Sequence, residues 1–173
     1  MDNMVFETFY KSLCEKAAAE LRKNIYEKSE CFSETIYEDF SEYLAGQLQS
    51  VCLRTLIAKM HSDKEAGKLK GDNPEAEYNF FCRAIVGKED FEKELFCTFP
   101  VLKECVEKKI EYAIVYYTEI VNNFYSNREE IKKRLCSGAN RISKISGGFS
   151  DVHNHGRQVL QIRLDNDCEI LYK

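Results

Sequence analysis

The hydrophobic period of this chain changes once, near residue 138, from the three- and four-residue steps of helices to the alternation of strands. Few features constrain the fold more, because a helical stripe and a period-two strand bury different faces and need different cover. Before the change, Val5, Phe6, Phe9, Tyr10 and Leu13 recur at helical steps, continuing through Ala17, Leu21 and Ile25. A second helix is expected after Ser33, whose hydroxyl can cap, with Ile36, Phe40, Leu44 and Leu48 in one stripe and the run reaching toward Lys59. A linker holding His61, Gly67 and Gly71 follows. Asn73 before Pro74 then marks a helix start, with Phe80, Phe81, Ala84 and Ile85 on its apolar face and Gly87 at its end. A short acidic helix over about 90–96, a long one from Pro100 through Phe124 and a last one over about 127–136 complete the helical part.

After Gly138 the segments "RISKIS", "RQVLQIRL" and "CEILYK" read as three short antiparallel strands. Gly147 and Gly148 lie in the connection between the first two, and Asp165-Asn166-Asp167 forms a tight turn before the third. Leu160, Ile162 and Leu164 share one face. The expected class is α+β, mostly α: a helical region over 1–138, then a small antiparallel sheet over 139–173. Such a sheet needs a helical cover on one face, and its last strand offers an open edge that favours self-association.

Length and charge narrow the functions. A chain of 173 residues can bury one substantial core. Its net charge of −4 argues against nucleic acid as a partner, which needs a basic face. Arg128, Lys132, Lys133, Arg134, Arg141 and Lys144 are locally basic, but Glu129 and Glu130 interrupt them, and a solvated helix end accounts for the group. No apolar run has the length of a membrane span, and the acidic N-terminus is no signal peptide. Eight cysteines are spread without a CxxC pair, so reduced, mostly buried thiols and a cytoplasmic location are expected.

Chemistry concentrates in "GGFSDVHNHGR". Asp151, His153 and His155 alternate and can project to one side of an extended segment, but three ligands from one such segment rarely close a metal site. A polar hairpin loop is the plainer account. A third reading uses the flanking strands: strand, glycine-containing loop, strand, turn, then a strand ending in Lys173 is the layout of a kinase N-terminal lobe. There the loop covers nucleotide phosphates and the lysine pairs with their oxygens. The usual GxGxxG spacing is missing.

"SDVHNHGRQVLQIRLDNDCEILYK" resembles the signature of type 2 lanthipeptide synthetases, the LanM enzymes, in which Asp-x-His-Asn-x-Gly-Arg precedes a strand, a turn and Tyr-Lys-Pro-Arg. The stretches "RTLIAKMHSDKEAGKLKGDNPEAEYNFF" and "FPVLKECVEKKIEYAIVYYTEIVNNF" are similar to that family's upstream helical segments. The resemblance implies a dehydratase domain with a lipid-kinase-like core, of which 139–173 would be the start of the N-lobe. With ATP and Mg²⁺ such a domain phosphorylates Ser and Thr of a ribosomal precursor peptide, then eliminates phosphate to leave dehydroalanine or dehydrobutyrine. It assigns Asp151 and His153 to the elimination and Lys173 to the ATP phosphates during phosphorylation. Asn154, Gly156 and Arg157 match the motif, as shapers of the loop and phosphate contacts. The Pro-Arg that follows the lysine in the family, the catalytic Asp and the metal-binding Asn and Asp lie beyond this sequence. The implied reading is therefore an N-terminal piece, inactive alone and binding no cofactor productively by itself. The competing expectation is a helical module that binds a peptide or protein without catalysis.

Overall fold

The computed structural model describes residues 4–147 and 156–173. Among the described residues five α-helices precede three strands: α1 Glu7–Ile25, α2 Ile36–Glu65, α3 Pro74–Phe80, α4 Phe91–Thr98, α5 Pro100–Arg134, β1 Ile142–Ser146, β2 Leu160–Leu164 and β3 Glu169–Tyr172. The class is α+β and mostly α, as expected from the change in period. Two compact units form, one from residues up to Cys14 with Ala45–Lys108, the other from Glu15–Leu44 with Lys109–Lys173. The division cuts across α1, α2 and α5 and does not follow the change in period.

The unit containing Ala45–Lys108 is built on aromatic packing. Phe6 and Phe9, at the start of α1, meet Tyr78, Phe81, Phe91 and Phe96 with ring centroids 5.5–6.4 Å apart. Each tilted or edge-on pair adds roughly 0.5–1.5 kcal/mol beyond area burial. Asn73 caps α3 as its sequence foretells: its side chain accepts the Ala76 N–H at 2.9 Å, and Pro74 takes the first helical position. α3 then widens into one π-helical stretch, Phe81–Val86, ending at Gly87.

α2 runs to Glu65, six residues past the expected end, so His61 and Asp63 lie on a helix and not in a linker. The helix continues because Asp63 is buried and bonded. Its carboxylate accepts from Lys59, one turn back, and at 3.1 Å from Lys68, beyond the helix end. α5 likewise continues as far as Arg134, where a separate helix over 127–136 was expected; no helix-breaking residue stands between Phe124 and Arg134.

In the second unit the sheet order is β1-β2-β3, antiparallel throughout, with Ile145 opposite Ile162 and Ile162 opposite Ile170. A bulge lies between Ile142 and Lys144. Ile142, Ile145, Leu160, Ile162 and Leu164 are all buried, whereas β3 is half exposed. The turn into β3 closes with the Asp167 N–H on the Leu164 carbonyl at 3.0 Å, and Asp167 takes a φ of 61°, a conformation that Asp tolerates.

The outer edge of β1 is covered. The Ser33 N–H donates to the Ile142 carbonyl (2.7 Å), Thr35 Oγ1 to the Ser143 carbonyl (2.8 Å), and the Ile145 N–H to Asp39 Oδ2 (2.7 Å). Among the described residues β3 pairs with β2 alone, so the open edge is the one beside Lys173.

The cysteine expectation needs correcting. Cys136, just past α5, and Cys168, at the turn before β3, form a disulfide across a sequence separation of 32. The fold brings these two loops together, and no local motif foretells that. Six thiols remain free, and of these Cys97 and Cys105 are exposed, not buried. No helix among the described residues is long and apolar enough to cross a membrane.

Candidate functional site

The three strands and the turn before β3 read from the sequence are present, with Lys173 directly after β3 and exposed. Asp151, His153, Asn154 and His155 lie outside the described residues. What the structure does describe is how both flanks of that loop's exit and of β3 are held.

Gly156 sits buried at the loop exit with a φ of 101°, where any side chain would be strained. Its carbonyl accepts the Tyr43 hydroxyl of α2 at 2.6 Å. Two residues on, the Gln158 carbonyl accepts the Tyr116 hydroxyl of α5 at 2.7 Å. Between them Arg157 is doubly engaged. Its guanidinium lies 5.2 Å from the centroid of the Tyr116 ring and forms a two-pronged pair with Glu119, one prong 3.0 Å long. Glu119 also accepts the Tyr172 hydroxyl at 2.7 Å, and Asn123 Nδ2 donates to that same hydroxyl oxygen at 2.7 Å. The rings of Tyr116 and Tyr172 pack with centroids 5.9 Å apart.

The electrostatics agree with this geometry. The bond from Arg157 holds the Glu119 carboxyl below the ordinary carboxylate range, against the opposing effect of burial and with help from the Tyr172 hydroxyl. Burial and the bond to Glu119 push Tyr172 up to about 12, so its hydroxyl stays a donor at neutral pH. Burial raises Tyr43 and Tyr116 as well, and both keep the protons they donate to backbone carbonyls.

Sequence reasoning brought out Gly156, Arg157 and Lys173 but missed Tyr43, Tyr116, Glu119, Asn123 and Tyr172. The last five supply the partners. A weak signal existed: Tyr116, Glu119 and Asn123 fall at i, i+3 and i+7, a polar line beside the buried stripe of Ala113, Tyr117, Ile120 and Phe124. Nothing in one sequence says which mid-helix glutamate meets an arginine far downstream.

Three members of the basic group around the end of α5 are engaged locally. Arg128 pairs with Glu30 at 3.3 Å, Arg134 with Glu130 at 2.6 Å, and Arg141 donates to the Phe32 carbonyl at 2.6 Å. The other unit has a cavity of about 410 Å³ over Phe80, Ile85 and Phe91, in which Asp63 already takes up Lys59 and Lys68. Among the described residues no cluster of three or more His, Cys, Asp and Glu side chains has the arrangement of a metal site.

In comparisons with known proteins, residues 99–173 match a family model described as a domain of unknown function (DUF4135). That is less than half of the chain, and it spans α5 and the whole sheet. No curated protein matches the sequence.

Proposed function

We propose that residues 139–173 open the nucleotide-binding lobe of a type 2 lanthipeptide dehydratase, an enzyme that phosphorylates Ser and Thr of a precursor peptide and then eliminates the phosphate. The observation that carries this reading is the order of the sheet. β1, β2 and β3 pair antiparallel in chain order, Lys173 follows β3 directly, and Gly156, ahead of β2, is held at a positive φ. The match of residues 99–173 to DUF4135, a family associated with lanthipeptide synthetase-like proteins, adds support.

An exposed lysine directly after β3 supports a nucleotide in this reading. Lys173 leaves β3 with its ammonium exposed, a point charge suited to phosphate oxygens. ATP, when bound, supplies the phosphoryl group that turns a poor leaving group, hydroxide, into a good one. Lys173 would hold the phosphate oxygens and offset their charge. For the elimination the reading uses His153 as acid or base near neutral pH, with Asp151 orienting it. Asn154 and Gly156 shape the loop. Arg157 makes its contacts with Glu119 and Tyr116, so its part is to hold the loop exit.

The test is mass spectrometry of a Ser/Thr peptide incubated with Mg·ATP and an enzyme reconstituted with the catalytic lobe that supplies the metal ligands. Lys173→Ala is expected to abolish phosphorylation, leaving unmodified peptide. His153→Ala is expected to let phosphopeptide accumulate. Normal amounts of dehydrated product from either variant remove that residue's role.

A further inference from the structure

One carboxylate on α5 touches both flanks of the candidate site. Arg157 stands one residue past the buried Gly156, and Tyr172 is the residue before Lys173. Both bond to Glu119, and they share a single atom: Oε1 accepts Arg157 Nη1 at 3.0 Å and the Tyr172 hydroxyl at 2.7 Å. The second oxygen takes the other prong of the guanidinium, which fixes orientation as well as distance. Asn123, one helical turn along, donates to the Tyr172 oxygen and so sets the direction of its hydroxyl. Tyr116, one turn the other way, lies under Arg157 and bonds the Gln158 carbonyl. Three consecutive turns of one helix thus carry the two ends of the strand unit.

This arrangement does more than add stability to one strand. β3 has a single partner strand among the described residues, so its terminal residues gain their placement from β2 and from this carboxylate. The loop exit gains its own from Tyr43, Tyr116 and the same carboxylate. We propose that Glu119 is a positioning residue that couples the exit of the loop at Gly156–Gln158 to the end of β3, and thereby sets where Lys173 stands relative to that exit. The inference deepens the nucleotide reading above and rests on it for its functional consequence. Glu119 itself need touch no nucleotide.

The test uses the full chain with Glu119→Gln, which keeps size and one acceptor but removes the charge that the guanidinium grips. Arg157→Gln and Tyr172→Phe each cut one arm. Amide hydrogen exchange followed by mass spectrometry reads the two segments separately. Glu119→Gln is expected to speed exchange roughly tenfold at both 156–160 and 169–173, the scale of one lost charge-assisted contact. Arg157→Gln should act on the first segment and Tyr172→Phe on the second. Acceleration of only one segment by Glu119→Gln, or of neither, overturns the coupling.

A second readout, made on the enzyme reconstituted with the catalytic lobe, asks for consequence and not only order: protection of the Lys173 amine from acetylation by Mg·ADP. The nucleotide concentration giving half-protection is expected to rise roughly tenfold in Glu119→Gln. Equal protection in wild type and variant, with exchange altered, overturns the positioning role. No protection in the wild type overturns the nucleotide reading instead, and the exchange pattern still decides the coupling by itself.

Discussion

Asp63 and Glu119 show how a carboxylate's surroundings decide its task. Asp63 is 2 % exposed, and burial alone would push its carboxyl up. The bonds and charges of Lys59 and Lys68 together outweigh that effect and hold it below the ordinary range. A carboxyl depressed in the folded state contributes stability that is present above its unfolded pKa and lost as pH falls through the folded one. Asp63→Asn is therefore expected to cost about 1–3 kcal/mol at neutral pH, because it leaves two ammonium groups without their partner. The gap to wild type should shrink steadily in acid, where the wild-type carboxyl also becomes neutral. Thermal melts from neutral to strongly acidic pH measure this directly, and a gap independent of pH would contradict it.

At the scale of elements, the outer edge of β1 illustrates what the α1–α2 connection and the first turn of α2 do. Backbone and side chains of Ser33, Thr35 and Asp39 occupy three polar groups of that edge which would otherwise face a neighbouring chain. Burial raises the Asp39 carboxyl, and the Ile145 N–H works against that by favouring the ionised form. Asp39→Ala leaves the Ile145 N–H without its acceptor at a cost of about 1–2 kcal/mol. It should also increase association, seen in sedimentation velocity as a concentration-dependent rise in mass. α5 is the complementary case. One line of it, with Tyr117, Ile120 and Phe124, is buried, and Tyr117 meets Phe40 edge-on at 5.2 Å. The adjacent line of Tyr116, Glu119 and Asn123 holds the loop exit and β3. One helix serves both the core and the candidate site because the two lines lie side by side on its surface.

For the molecule as a whole, the disulfide and the Glu119 cluster grip the same strand from opposite ends. Cys168 ties the start of β3 to the residue pair beyond α5, and Tyr172 ties its end to the middle of that helix. Closing a loop across a separation of 32 is worth about 2–4 kcal/mol in the chain-entropy account. Dithiothreitol should accordingly lower the urea midpoint of the wild type, while Cys168→Ser should begin at the lower value and show no further response. Alkylation in denaturant without reductant should label six cysteines, the count of free thiols, and reduction should add the remaining pair. An unchanged midpoint on full reduction would show that the bridge carries no net stability.

Local patterns in the chain were enough for much of this. Most of the helices, the Asn73 cap, the three strands, the turn before β3 and the buried line of Leu160, Ile162 and Leu164 follow from periodicity and turn chemistry, which act over a few residues. The order of the strands and the place of Lys173 after β3 were legible for the same reason. The continuation of α2 to Glu65 was not, because it depends on where Asp63 finds its cations. The Cys136–Cys168 bridge and the Glu119 junction were beyond reach, since each joins residues more than 30 positions apart. Sequence determined which segments are helix or strand and which residue types flank the loop. Only tertiary structure decided which helix face meets which loop, because long-range pairing is chosen by packing of the whole chain and leaves no period of its own.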